Sequence, residues 1–158
     1  MPVADLVSEL SIDPDSSQFR LASGWLERAG RELGIPTEQI ARLDVCLNEV
    51  LANVLDHGGA SARSAPIGLR LARKRDPDGA DATLTVTDAG TAFDPLAVLP
   101  RSRPQTLAEA TPGGLGLVML RANADSLSYV YAEGRNRLTF GVRWSGLQCS
   151  TQDPPSVR

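Results

Sequence analysis

Hydrophobic and polar positions along the chain change period several times, and each change predicts an element. Residues 6–12 (LVSELSI) alternate apolar and polar, which suits a short strand. Asp13-Pro14 then offers an N-cap followed by proline at the first helical position. Phe19, Ala22, Trp25, Leu26, Ala29 and Leu33 recur at helical spacing and predict an amphipathic helix over 14–33, stopped by Gly34. Pro36-Thr37 opens a second helix reaching about His57, with Gly58-Gly59 as its stop. Two strands are predicted over 66–73 and 82–88, with Asp76-Pro77-Asp78-Gly79 turning between them. A stretch rich in proline and arginine, 93–112, shows no apolar period; loops of that length inside compact domains are usually lids or binding loops. A third helix is expected near 115–124. Two closing strands, 127–133 and 137–144, are joined by Glu133-Gly134-Arg135-Asn136. From Ser145 onward the chain is polar and contains Pro154-Pro155, which predicts a disordered tail behind one domain over 1–144. Helices and strands that group in this way, rather than alternating, predict an α+β fold, a two-layer α/β sandwich with helices on one sheet face. A doubly wound dinucleotide fold is disfavoured by the same order.

Composition narrows the chemistry mainly by what is missing. With 158 residues and 42% hydrophobic content the chain can build one core. Its net charge of −3 is spread over interspersed acids and bases, leaving no electrostatic footprint for direct nucleic-acid binding and no polybasic membrane patch. No apolar run reaches membrane-spanning length, and the N-terminal residues carry no cleavable signal pattern, so a cytoplasmic location is expected. Cys46 and Cys149 form no CxxC pair and read as reduced thiols. Lys74 is the sole lysine and lies among arginines rather than in a glycine loop, so there is no Walker A motif. His57 is the sole histidine, which excludes a zinc site with several histidine ligands.

Three segments carry candidate chemistry. In the second helix Leu43, Leu47, Val50, Leu51 and Val54 make one apolar stripe, while Glu49, Asn53 and His57 follow at i, i+4 and i+8 along its border. Such a row is either an ordinary solvated face or a carboxylate, an amide and an imidazole presented to one cleft. Asn53 in mid-helix, where asparagine has poor propensity, draws attention to the second reading, because an amide oxygen suits Mg²⁺ and a nearby carboxylate suits a base. Asp88-Ala89-Gly90-Thr91-Ala92-Phe93-Asp94 follows directly on a strand. It is either a plain turn or an acceptor for a ligand amine beside a glycine that permits close backbone approach. Gly113-Gly114-Leu115-Gly116-Leu117 precedes an apolar helix and is either a loop-to-helix joint or a phosphate site made of backbone N–H groups.

Taken in order, E-x3-N-x3-H-G, D-x-G-x-x-F-D and G-G-x-G-L resemble the N box and the two glycine boxes of the GHKL ATPases. More narrowly, LNEVLANVLDHG, VTDAGTAFDP and GGLGLVMLRANAD are similar to the anti-sigma-factor serine-protein kinases, over about residues 8–144. The resemblance implies a Bergerat fold with a mixed, largely antiparallel sheet, and ATP with Mg²⁺ as ligands. It implies Glu49 as general base, Asn53 as the Mg²⁺ ligand, Asp88 on the adenine amino group with Gly90 and Phe93 beside the base, and 113–117 on the phosphates. The family's ATP lid corresponds to 95–112, where Arg101 or Arg103 would reach the terminal phosphate. His57 matches a common N-box position, and by itself reads as a cap on the helix end. The implied activity is serine/threonine-protein kinase activity on a STAS-domain anti-anti-sigma protein, with a sigma factor as an alternate partner and a homodimer as the usual assembly. Alternatives are an ATP-sensing binding protein of the same fold without significant kinase activity, and a histidine-kinase-like ATPase domain acting in trans. Gyrase, mismatch-repair and chaperone ATPases are not expected, because they need transducer domains that these 158 residues would not accommodate.

Overall fold

The expected element order is present in the computed structural model, which describes residues 5–97 and 114–146. Strand β1 (Leu6–Ile12) leads through a 3-10 turn (Ser16–Gln18) into helix α1 (Phe19–Glu32), and helix α2 (Thr37–His57) follows. A single-turn helix α3 (Gly59–Ala62) precedes strands β2 (Ile67–Asp76) and β3 (Gly79–Asp88). Helix α4 (Gly114–Asn123) and strands β4 (Ser126–Ala132) and β5 (Arg135–Ser145) complete the fold. The sheet order is β1-β2-β3-β5-β4. All four ladders are antiparallel, so the mixed component of the expected sheet is not found among the described residues.

Boundaries moved where local hydrogen bonding outweighs hydrophobic period. The first helix begins at Phe19 rather than residue 14, because the Asp15 carboxylate, not Asp13, accepts from the Ser17 N–H and caps the intervening tight turn. β2 and β3 extend through the charged residues 73–76 into a two-residue hairpin, where Asp76 Oδ1 accepts from the N–H groups of Asp78 and Gly79, each at 2.9 Å. The second hairpin turns at Glu133 and Gly134 alone. Both have positive φ, 56° and 73°, the conformation that matches the twist of paired strands. Gly58-Gly59 does stop α2, and Gly59 at φ 66° redirects the chain into α3.

One sheet face carries Ile12, Leu69, Leu71, Leu84, Val86, Phe140 and Val142, all buried, against Leu26 of α1 and Leu43, Leu47 and Leu51 of α2. Each such side chain contributes about 1.5–3 kcal/mol relative to exposure. Trp25 of α1 is buried as well and donates its indole N–H to Ser8 on β1 at 3.1 Å. The opposite face is largely polar, with Glu9, Arg70 and Arg137 on it and with Thr85 and Thr139 hydrogen-bonded across β3 and β5 at 2.9 Å. Period-two alternation has thus turned one face to the helices and left the other toward solvent. No helix among the described residues is long and apolar enough to cross a membrane.

Helix α4 lies on α2 in a defined direction. Asp125, just past α4, takes a two-pronged hydrogen bond from Arg42 at 2.9 and 3.2 Å, while the Leu120 carbonyl meets the Cys46 thiol at 4.0 Å. Moving back along α4 therefore moves forward along α2. The two helices are antiparallel, and the N-terminal end of α4 runs toward the Glu49–Asn53 part of α2.

Candidate functional site

A cleft opens between the C-terminal half of α2, the end of β3 and the β4–β5 hairpin. Val50, Asn53, Val54 and Gly58 form its α2 wall; Asp88, Thr91, Phe93 and Pro95 form a second; Tyr129, Asn136 and Leu138 close it. Counting space open to solvent, it encloses about 360 Å³. The apolar stripe of α2 faces the sheet core and gives the cleft only Val50 and Val54 from its edge, so the polar groups the helix offers come from the half-buried border. Asn53 is on the wall, and its amide makes no hydrogen bond with the described residues. Glu49 is half-buried one turn earlier, about 6 Å along the axis, and is not part of that wall.

The row's last member takes a different role from the one expected. His57 does not cap α2; the Gly58 N–H closes the last turn on the Val54 carbonyl. The imidazole stacks on the Phe93 ring instead, with centroids 4.6 Å apart and planes 14° apart. Phe93 is thereby held in the cleft wall.

Asp88 closes β3 on the core-facing side and is 5% exposed. Its Oδ1 accepts from the Gly90 N–H at 2.8 Å and from the Asn136 amide at 3.0 Å. Oδ2 takes no hydrogen bond from the described residues and is left as the acceptor a ligand can use. Gly90 is required by its neighbours as well: a Cβ there would stand 2.9 Å from the Gly58 Cα. The Asp88 turn rests on the end of α2, where the Thr91 N–H donates to the Gly58 carbonyl at 3.1 Å.

Two residues of this site escaped sequence reasoning. Asn136, 6% exposed, donates through Nδ2 to Asp88 Oδ1, to the Gly90 carbonyl at 3.1 Å and to the Thr91 carbonyl at 3.0 Å. Its Oδ1 accepts from the Phe93 N–H at 3.1 Å and from the Tyr129 hydroxyl. Burial of the Tyr129 phenol, the largest influence on it, raises its pKa. A signal was present: Asn136, Leu138, Phe140 and Val142 run i, i+2 along one strand face, and a polar residue in that run requires buried partners. Those partners are supplied by register, which sets Asn136 opposite Asp88.

Gly114, Leu115, Gly116 and Leu117 lie in the first turns of α4, whose N-terminal end runs toward the Glu49–Asn53 part of α2. Gly113, Arg101, Arg103 and the expected lid beyond residue 97 lie outside the described residues, as does the expected tail beyond residue 146. Of the lid expectation, Pro95 is described and is buried in the cleft wall. Among the described residues no three acidic, histidine or cysteine side chains come together as a metal cage.

Comparison with known proteins agrees with this architecture. The family model for the histidine kinase-like ATPase domain matches residues 12–142. The serine/threonine-protein kinase BtrW of Bordetella bronchiseptica is 34% identical over 97 residues, covering 61% of this chain and 66% of that protein, slightly under two thirds of its length. Among solved structures, the RsbU and RsbW domains of Rv1364c from Mycobacterium tuberculosis superpose with a TM-score of 0.60 at 18% identity, over 89% of this chain and 32% of that one. The SiaB–SiaC complex from Pseudomonas aeruginosa gives a TM-score of 0.50 at 11% identity, over 87% of this chain and 89% of that one. At such identities these two structures speak to the fold alone. The match across most of the chain, the antiparallel sheet under its helices and the order of the three motifs show that this chain belongs to the histidine kinase-like ATPase domain family, the GHKL group.

Proposed function

We propose that the chain binds ATP with Mg²⁺ in this cleft and transfers the γ-phosphoryl group to a serine or threonine of a STAS-domain partner protein. The observation that carries the reading is the presence of Asn53 and Asp88 in the lining of one cleft, each with hydrogen-bonding capacity that the described residues leave unused. The 34% identity to a serine/threonine-protein kinase supports the choice of reaction. Asp88 Oδ2 accepts from the adenine amino group, and the stacked Phe93 presents an apolar wall beside the base. The Asn53 amide oxygen is a hard neutral ligand that suits Mg²⁺, an ion that keeps waters and phosphate oxygens in its shell and needs no cage of protein carboxylates. The N–H groups opening α4 face the phosphates, where the helix dipole favours negative charge. Gly113, Arg101 and Arg103 belong to the same proposal.

Phosphoryl transfer needs positioning and charge neutralisation more than covalent help from the protein. The serine oxygen forms its bond to the γ-phosphorus as the bond to the bridging oxygen breaks and ADP leaves. Glu49, one turn from Asn53, orients the hydroxyl and receives its proton. A cytoplasmic homodimer that exchanges a STAS-domain protein for a sigma factor is the regulatory setting that goes with this activity. One observation favours a second reading, an ATP-sensing switch without phosphotransfer: Glu49 is absent from the cleft wall.

The test is a radiolabelled-phosphate assay with purified STAS-domain protein, comparing the unmodified chain with Glu49→Gln. Phosphotransfer should fall by about 10²- to 10⁴-fold, the range for a general base, with nucleotide affinity retained. An unchanged rate removes Glu49 from the mechanism. Tight ATP binding without transfer selects the second reading, and absence of ATP binding by calorimetry rejects both.

A further inference from the structure

We propose that Asn136 is a positioning residue that sets the base preference of the cleft by aiming Asp88, and that Tyr129 holds Asn136 in the required orientation. The inference rests on the reading of Asp88 as the acceptor for the base's amino group.

The orientation of the Asn136 amide follows from its surroundings. Nδ2 faces three oxygens, Asp88 Oδ1 and the carbonyls of Gly90 and Thr91, at 3.0–3.1 Å. Oδ1 faces two donors, the Phe93 N–H and the Tyr129 hydroxyl. An inverted amide would set oxygen against three acceptors, so only one orientation satisfies the network. Tyr129 reinforces it, because its hydroxyl contacts the amide oxygen and it also approaches the Phe93 N–H at 3.2 Å.

This arrangement has a directional effect on Asp88. Two N–H groups, from Gly90 and Asn136, occupy Oδ1. The carboxylate plane is fixed, and Oδ2 is the oxygen left for a ligand. Without the Asn136 donor, one N–H still holds Oδ1, but the carboxyl can rotate and the loop carrying Thr91 and Phe93 loses its three ties to β5. A fixed acceptor discriminates between an amino group and a carbonyl at position 6 of a purine; a rotating one does so poorly. Asn136 also lines the cleft, yet its amide hydrogens and oxygen are already committed to protein partners, so it acts through Asp88.

The test is a comparison of ADP with inosine diphosphate, which carries a carbonyl where adenine has its amine. Calorimetry on the full chain with Mg²⁺ gives both affinities. The unmodified protein should prefer ADP, and Asn136→Ala should lower that ratio by about three- to tenfold, the scale of one hydrogen bond to the shared acceptor. Asn136→Asp should lower it further, since its carboxylate would face three acceptors and the charge of Asp88. Tyr129→Phe keeps the ring packing and should lower the ratio by about two- to threefold; it decides the matter if the Asn136 variants do not fold. Equal loss of both affinities, or an unaltered ratio in every folded variant, overturns the inference and leaves the Asp88 reading intact. No ADP preference in the unmodified protein defeats the Asp88 reading itself, and the role of Asn136 falls with it.

Discussion

Replacing Gly90 by alanine tests whether the contact between the Asp88 turn and the end of α2 holds the site together. A Cβ built at Gly90 stands 2.8 Å from Asp88 Oδ1, 2.9 Å from Gly58 Cα and 3.2 Å from Ala62 Cβ. Carbon atoms in comfortable contact lie about 3.5–4.0 Å apart, so the neighbours must retreat by roughly 0.5–1 Å. Gly58 cannot retreat easily, because its N–H is bonded to the Val54 carbonyl at 2.9 Å and its carbonyl accepts from the Thr91 N–H at 3.1 Å. Movement is therefore forced on the Asp88 carboxylate and the turn behind it. Overpacking of this kind costs about 1–3 kcal/mol, and at about 2–4 °C per kcal/mol for a domain of this size the melting temperature should fall by roughly 2–12 °C. Urea unfolding should show a lowered midpoint with an unchanged slope, the mark of lost stability rather than an altered unfolded state. ADP affinity should fall as well, because the displaced carboxylate is the proposed acceptor for the base. A variant with unaltered midpoint and unaltered ADP affinity would refute the reasoning, since it would mean that α2 and the turn separate freely.

Gly24 provides the opposite case: in mid-α1 nothing lies within 4 Å of an added Cβ, so Gly24→Ala should raise stability by about 0.5–1 kcal/mol, and a lowered urea midpoint would contradict this. Arg143 hydrogen-bonds Asp76 at 2.8 and 3.0 Å and, with the turn N–H groups, holds that carboxyl down to about 2. A depressed carboxyl pKa stabilises the fold above the ordinary value of 3.8 and ceases to do so as pH falls toward 2. In Arg143→Gln the Asp76 carboxyl, followed by NMR titration, should return toward 3.8; titration near 2 in that variant would assign the shift to the turn alone.

Much of the fold was legible from local pattern. The i, i+3, i+4 stripe of α2, the alternation in β3 and the glycines at 34, 58 and 59 each reflect a nearest-neighbour constraint, and the type and order of the elements follow from them. Motif order identified Asn53 and Asp88 as candidates, and tertiary structure brings both to one cleft. Element ends were less legible. Whether Asp13 or Asp15 caps, and whether a charged strand end stays in the ladder, depends on single hydrogen bonds that hydrophobicity does not encode.

What the sequence determined by itself is the set of periods and breakers, and through them the α+β class and the three segments that carry chemistry. Tertiary structure alone decided the connections among those segments. Ladder register places Asn136 opposite Asp88 across 48 residues of chain, and the packing of the Asp88 turn on α2 brings Phe93 to His57. The Arg42–Asp125 and Cys46–Leu120 contacts set the direction of α4. The physical reason is range: helical and strand periods arise from bonds within a few residues, whereas the partners of a buried polar group are chosen by how whole elements pack.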